Sequence, residues 1–334
     1  MSVMDNYILQ VHGLQVTFTD IERNEIHVVD GVSFSIKQGE TLALVGESGC
    51  GKSVTSLALL RLLDGNGRIR GGNVLWQGRD ILSLPLREVR SLRGREIAMV
   101  FQEPSSALNP VYTIGDQITE SMLRHQKVSP AQAKKQAEEM LRLVGIPEPR
   151  KRLEEYPHAL SGGMKQRAMI AMALSCRPRL LIADEPTTSL DVTIQAQILE
   201  LIKELQKRFH MAILLITHDL GIVANMADRI LIMYAGKVVE EGNKQDIFRR
   251  AAHPYTRGLL NSIPRMDQAK GTFASIPGTV PDPAHFPEGC RFHNRCGEFT
   301  ETCLSEPGKI HLENEHFVLC HYPLGQKTLG CRAK

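Results

Sequence analysis

Residues 42–45, Leu-Ala-Leu-Val, are a short apolar run that breaks into Gly46-Glu47-Ser48-Gly49-Cys50-Gly51-Lys52-Ser53. This is G-x-x-x-x-G-K-[ST] in a strand, loop and helix setting, with a helix expected to begin near Ser53. A loop so rich in glycine can turn backbone N–H groups inward, and the helix behind it adds the positive end of its dipole. Phosphate groups are the natural occupants. In that chemistry Lys52 bridges the β- and γ-phosphates of a nucleoside triphosphate and Ser53 ligates Mg²⁺.

The surrounding pattern is that of an α/β chain. Short apolar strands are expected at 42–45, 74–76, 97–101, 180–183, 213–216 and 230–233. Several are followed by helical periodicity, clearest from Val192, where Ile194, Ile198, Leu201, Ile202 and Leu205 share one face. Alternation of this kind argues for a largely parallel sheet covered by helices. Ahead of it, residues 7–20 and 26–37 are partly alternating and β-branched, and read as an antiparallel β subdomain joined through the polar stretch 21–25.

The 334 residues suggest two domains, or one with an appendage. Residues 103–178 carry helical patterning and prolines but no expected strand, and read as a helical subdomain inserted into the core. The texture changes near residue 265, giving a first domain over 1–264 and a loop-rich C-terminal extension over 265–334, pinned by something other than a core. A net charge of +3 without long like-charged runs gives nucleic-acid binding no general electrostatic support. The longest strongly apolar run, 211–217, is far short of the ~20 residues that span a bilayer. With no basic-then-apolar start, the chain reads as cytoplasmic.

Two further motifs bear on phosphate chemistry. The run Leu180-Leu181-Ile182-Ala183 ends in Asp184 and Glu185. The first carboxylate suits the magnesium side of a phosphate-loop site, and the second can polarise an attacking water. Ser161-Gly162-Gly163-Met164 opens a helical pattern, where a serine N-cap and two glycine amides make a second anion site.

Together these segments, with Gln102 after Met99-Val100-Phe101, Ser189-Leu190-Asp191 and His218 after 213–217, resemble ATP-binding-cassette ATPases in order and spacing. The resemblance covers about residues 7–250. It implies a phosphate-loop NTPase core and a head-to-tail dimer, each ATP lying between the phosphate loop of one subunit and the Ser161 segment of the other. It also implies that Glu185 is the general base and that His218 contacts the γ-phosphate and holds base and water. Ser53 and Gln102 become magnesium ligands, with Asp184 linked to the metal through water. The nucleotide set is then Phe18, stacked on adenine, with Gly46, Glu47, Ser48, Gly49, Cys50, Gly51, Lys52, Ser53, Val54, Gln102 and Asp184. Ser161, Gly162 and Gly163 join it across the dimer. Met164 stands where the family usually has Gln.

His253-Pro254-Tyr255-Thr256-Arg257-Gly258-Leu259-Leu260 and Glu103-Pro104-Ser105-Ser106-Ala107-Leu108-Asn109-Pro110 resemble segments of the oligopeptide and dipeptide importer ATPases. That resemblance implies a second, related ATPase subunit, with a homodimer as the alternative. It also implies two permease subunits, an extracellular peptide-binding protein acting indirectly, and a peripheral place on the cytoplasmic face of the membrane. Same-fold importers of nickel or antimicrobial peptides are the nearest alternative, and a soluble cassette ATPase of DNA repair or translation a more distant one.

Such an ATPase works in reducing cytosol, so disulfides are not expected among the cysteines crowded at the C-terminus. Cys290, Cys296, Cys303 and Cys320 lack the close pairs typical of zinc. Four cysteines on irregular loops suit an iron–sulfur cluster, and some importer ATPases carry a C-terminal motif resembling a [4Fe-4S] site. Zn²⁺ and free thiols are the other readings, as is a redox-regulated switch. His293 and His321 are alternative ligands and Cys331 a bystander. Cys50 and Cys176 read as loop or packing residues.

Overall fold

The computed structural model describes residues 7–188, 190–263 and 276–325, so Ser189 and Cys331 lie outside the described residues. In chain order the elements begin with β1 (Tyr7–Thr19), β2 (Glu25–Lys37), β3 (Thr41–Val45), α1 (Lys52–Leu59), β4 (Gly67–Trp76), β5 (Arg79–Asp80), α2 (Leu86–Leu92) and β6 (Ile97–Val100). Helices α3 (Pro104–Ala107), α4 (Ile114–His125), α5 (Pro130–Leu143), α6 (Pro149–Leu153) and α7 (Gly162–Leu174) follow. Then come β7 (Leu180–Asp184), α8 (Val192–Phe209), β8 (Ala212–Thr217), α9 (Leu220–Met226), β9 (Arg229–Tyr234) and β10 (Lys237–Asn243). The last are α10 (Lys244–Arg250), α11 (Pro254–Asn261), β11 (Lys309–His311) and β12 (Phe317–Leu319).

Two compact units divide these elements. The first is built mainly from Asp80–Ile216. Its strands β6, β7 and β8 are parallel, with Ile97 opposite Leu180 and Leu180 opposite Ala212. Every residue of β7 and β8 is buried, as parallel strands covered on both faces require. Between β6 and β7 the described residues form helices and no strand. The helix starts are written locally: Thr113 and Asp116 close a capping box on α4, and Ser129 and Gln132 close one on α5 behind Pro130. Helix α5 buries Ala133, Ala137, Met140 and Leu141 along one stripe. Helix α8 buries Ile198, Leu201, Ile202 and Leu205, with Ile194 half-buried.

The second unit is built from Leu9–Ser35, Leu42–Arg79 and the chain from Thr217 onward. One sheet has the order β2-β1-β4-β5, in which β1 and β4 run antiparallel with Leu9 opposite Trp76 and Phe18 opposite Gly67. The other strands of this unit follow the order β3-β9-β10-β12-β11. Here β3 and β9 are parallel, and the pairs from β9 outward are antiparallel. Ala43 and Val45 of β3 share a core with Ile230, Ile232 and Tyr234 of β9, Val223 of α9, Ile247 of α10 and Tyr255 of α11.

Phe292, from the C-terminal segment, belongs to that same core and is 3% exposed. Phe317 and Val318 are buried as well, and β12 pairs with β10 through Glu240 opposite Val318. Part of what fastens this segment is therefore ordinary apolar burial. Periodicity could not show it, because three-residue strands and short 3₁₀ turns are too brief to carry a pattern. Among the described residues, no helix is long and apolar enough to cross a membrane.

Candidate nucleotide site and C-terminal cysteine cavity

The phosphate loop leaves β3, whose five residues are all buried, and enters α1 at Lys52. Gly46 packs so close to β9 that a Cβ would stand 2.2 Å from the Met233 carbonyl oxygen. Gly51, the N-cap of α1, has φ of 105°, which side chains other than glycine adopt only with strain. Ser48 and Gly49 are exposed at the loop tip, Glu47, Ser53 and Val54 are half-buried, and Cys50 is buried. Lys52, 5% exposed, donates from Nζ to the carbonyls of Gly46 at 2.8 Å and Glu47 at 2.9 Å. Burial pushes the Cys50 thiol up despite the neighbouring Lys52, so it is a protonated packing group at neutral pH.

Two other expected nucleotide residues lie in the same unit. Phe18 is half-buried near the end of β1, beside Gly67, rather than deep in the core. His218 is exposed just after β8. The next residue, Asp219, caps α9 by accepting from the N–H groups of Gly221 and Ile222.

In the other unit, the register of β6 and β7 sets Val100 opposite Ala183, so Gln102 and Glu185 leave the sheet at one edge. Asp184, at the end of β7, is 6% exposed. Glu185 has φ of 45°, a conformation that costs a non-glycine residue ~1–3 kcal/mol and is typical of functional sites. Its N–H donates to the Ile216 carbonyl at 2.9 Å. Its carboxylate oxygen Oε2 accepts from Gln102 Nε2 at 3.1 Å and from Thr188 Oγ1 at 2.8 Å. Thr188 has no part in the sequence reading; only its position three residues after Glu185 hinted at it. Gln166 is a second such residue, buried on α7 and donating from Nε2 to the Pro186 carbonyl at 2.6 Å.

Ser161 caps α7 and accepts from the Met164 N–H at 3.4 Å. Ser161 and Gly162 are exposed, and Gly163 faces Ile194 of α8. Met164 thus serves the turn through its backbone.

Cys290, Cys296, Cys303 and Cys320 line a single cavity together with His253, His293 and His321. The Cys290 N–H donates to the Cys303 carbonyl at 2.9 Å. His253, 1% exposed, accepts the Tyr255 N–H at Nδ1, which leaves its proton on Nε2. That Nε2 is buried without a hydrogen-bond partner among the described residues, and burial lowers the ring pKa to about 4. Four thiols and an unpartnered imidazole N–H are suitable donor chemistry for a thiolate-bound cluster.

The arrangement is another matter. The cavity measures about 10 Å³, room for about one water. Among the described residues, no three His, Cys, Asp or Glu side chains stand where they could hold a metal ion. Burial pushes the Cys290, Cys296 and Cys320 thiols up, Cys320 to about 12, so without a cation they are protonated. The expectation of a [4Fe-4S] cluster or Zn²⁺ on Cys290, Cys296, Cys303 and Cys320 therefore gains no support from the structure. The donors converge, but neither the space nor the ligand geometry is formed.

Two stretches of the chain match known families. Residues 29–188 match the ABC transporter family model, and residues 239–303 match the model of the oligopeptide/dipeptide transporter C-terminal region. The dipeptide transport ATP-binding protein DppD of Bacillus subtilis (strain 168) is 50% identical over 315 residues, 94% of each chain. The oligopeptide transport ATP-binding protein OppD of Salmonella typhimurium (strain LT2) is 49% identical over 302 residues, 90% of each chain. Among solved structures, the dimeric, post-hydrolysis ATP-binding cassette MJ0796 bound to ADP and Pi superposes with a TM-score of 0.63 at 26% identity, covering 70% of this chain and 98% of that one. The fold and its phosphate loop thus define an ABC-type ATPase. The chain belongs to the ABC transporter ATP-binding proteins, in the group that carries the oligopeptide/dipeptide transporter C-terminal region.

Proposed function

We propose that this chain energises an importer of dipeptides or oligopeptides by binding and hydrolysing ATP. The observation that carries the reading is the peptide-transporter C-terminal match on the same chain as an intact phosphate loop and the Asp184-Glu185 strand end. Residues 1–264 form the ATPase domain, with a helical subdomain over about 103–178, and residues 265–334 form the extension. The chain pairs with a second, related ATPase subunit, works beneath two permease subunits at the cytoplasmic face of the membrane, and responds indirectly to a peptide-loaded extracellular binding protein.

The chemistry follows from the residues. The amides of 46–53 and Lys52 would take the phosphates, Ser53 and Gln102 would hold Mg²⁺ with Asp184 supporting it, the ion supplying charge to the phosphate oxygens, and Phe18 would stack on adenine. Glu185 takes a proton from water as the water oxygen bonds to the γ-phosphorus; the bond to the β,γ-bridging oxygen breaks, releasing ADP and phosphate. His218 contacts the γ-phosphate. Gln102 and Thr188, both donating to one carboxylate oxygen, fix the orientation of the base. Ser161, Gly162 and Gly163 close on the nucleotide of the partner subunit.

The cysteine pattern alone carries the proposal of an iron–sulfur cluster on Cys290, Cys296, Cys303 and Cys320: the four line one cavity, in which neither the space nor the ligand geometry for a cluster is formed. When bound, such a group supplies one-electron chemistry or a structural tie. The transport reading is tested by uptake of a labelled dipeptide in cells lacking this gene. Restoration by the wild-type chain but not by Glu185→Gln supports it, and uptake restored equally by both contradicts it.

A further inference from the structure

Glu47 places a carboxylate inside a loop whose occupants are anions. It is the second residue of the 46–53 segment and contributes its own backbone to the loop, accepting from Lys52 Nζ at its carbonyl. A negative charge there opposes the phosphates at short range. The structure supplies the remedy from the far end of the chain. Arg295 grips both Glu47 oxygens, Nη1 to Oε2 at 2.7 Å and Nη2 to Oε1 at 3.0 Å. This fork-to-fork pairing is the strongest ion-pair geometry available to arginine.

The grip is built rather than incidental. The Arg295 side chain is 5% exposed. Its Nε donates to the Pro277 carbonyl at 2.8 Å, and its guanidinium lies over the Tyr234 and Phe292 rings. Tyr255, itself buried, holds the other side of Glu47 by accepting its backbone N–H at 2.9 Å. Arg295 also sits beside Cys296, between the first two cysteines of the cavity.

We propose that Arg295 is a positioning residue of the phosphate loop: it neutralises Glu47 and so lets a loop with its own carboxylate accept a nucleoside triphosphate. The C-terminal cysteine-bearing segment is thereby a working part of nucleotide binding. This rests on the reading that residues 46–53 bind ATP.

The test measures ATPase kinetics and ATP affinity in the assembled transporter for wild type, Arg295→Met, Arg295→Lys and the double variant Arg295→Met with Glu47→Gln. Arg295→Met raises KM and the dissociation constant about tenfold with a smaller change in kcat, and Arg295→Lys raises them less. Removing the stranded carboxylate in the double variant brings affinity back to within about threefold of wild type. A merely structural Arg295 would lose its hydrogen bonds to the Pro277 and Ile276 carbonyls and the Tyr234 hydroxyl in both methionine variants, so Glu47→Gln would rescue nothing. Unchanged affinity in Arg295→Met, or no rescue, overturns the proposal. Absence of ATP binding by the wild-type chain would instead overturn the reading on which it rests.

Discussion

Gln102 Nε2 stands 3.1 Å from Glu185 Oε2, and the parallel register of the two strands behind them puts it there. Thr188 Oγ1 donates to the same oxygen at 2.8 Å. A carboxylate held twice, on a backbone with positive φ, is oriented by its surroundings rather than by its own rotamer preference.

The base assignment predicts that Glu185→Gln binds Mg-ATP, accumulates as a nucleotide-bound dimer and turns over ~10²–10⁴-fold more slowly. Single-turnover hydrolysis with size-exclusion chromatography checks this. Thr188→Val, which removes one of the two orienting donors, lowers kcat about tenfold and leaves KM nearly unchanged.

Lys52 and Gly46 separate binding from folding. Lys52→Ala removes the phosphate cation and should weaken ATP binding about a hundredfold while the fold persists. Gly46→Ala drives a Cβ into the Met233 carbonyl and should cost about 1–3 kcal/mol of unfolding free energy as well as nucleotide binding. Urea denaturation and fluorescent-nucleotide titration on both variants give the comparison.

Glu240, 0% exposed, accepts from the N–H groups of Ala252 at 2.7 Å and His253 at 2.9 Å, and pairs with His316 at 2.7 Å. Glu240→Ala strands three buried polar groups and should cost about 3–5 kcal/mol in chemical denaturation. Glu240→Gln, which still accepts, should lose less.

The cysteine cavity makes an optical prediction. With a cluster on Cys290, Cys296, Cys303 and Cys320, anaerobic purification yields a brown protein with broad absorbance near ~400 nm, lost on substitution of any of the four by Ser. A colourless preparation with iron absent contradicts the cluster, and a colourless one containing zinc identifies Zn²⁺ in its place.

The sequence shows those parts of the fold whose cause is local. The 46–53 loop, the Leu180-to-Glu185 strand end, the Ser161 cap and the α8 stripe each depend on residues a few positions apart, and all are legible. Helix α1 begins at Lys52, one residue before the expected start near Ser53. What escapes is non-local. The Arg295 to Glu47 pair spans 248 positions, beyond any motif. Strand β10 carries Glu240 and Glu241 in its middle, buried by β12 and by specific partners that composition cannot announce. Phe292 looks like an isolated aromatic in a proline-rich tail until Tyr234 and Tyr255 close on it, with ring centroids 5.2 and 5.4 Å away.

The most direct measurement is the ATPase rate of this chain reconstituted with its partner ATPase, its permease pair and the cognate binding protein in lipid vesicles. Peptide-loaded binding protein should raise the rate above that with the empty protein, and Glu185→Gln in this chain should abolish the increase. A rate indifferent to every dipeptide and oligopeptide tried, from a complex that hydrolyses ATP, would contradict the assignment to peptide import.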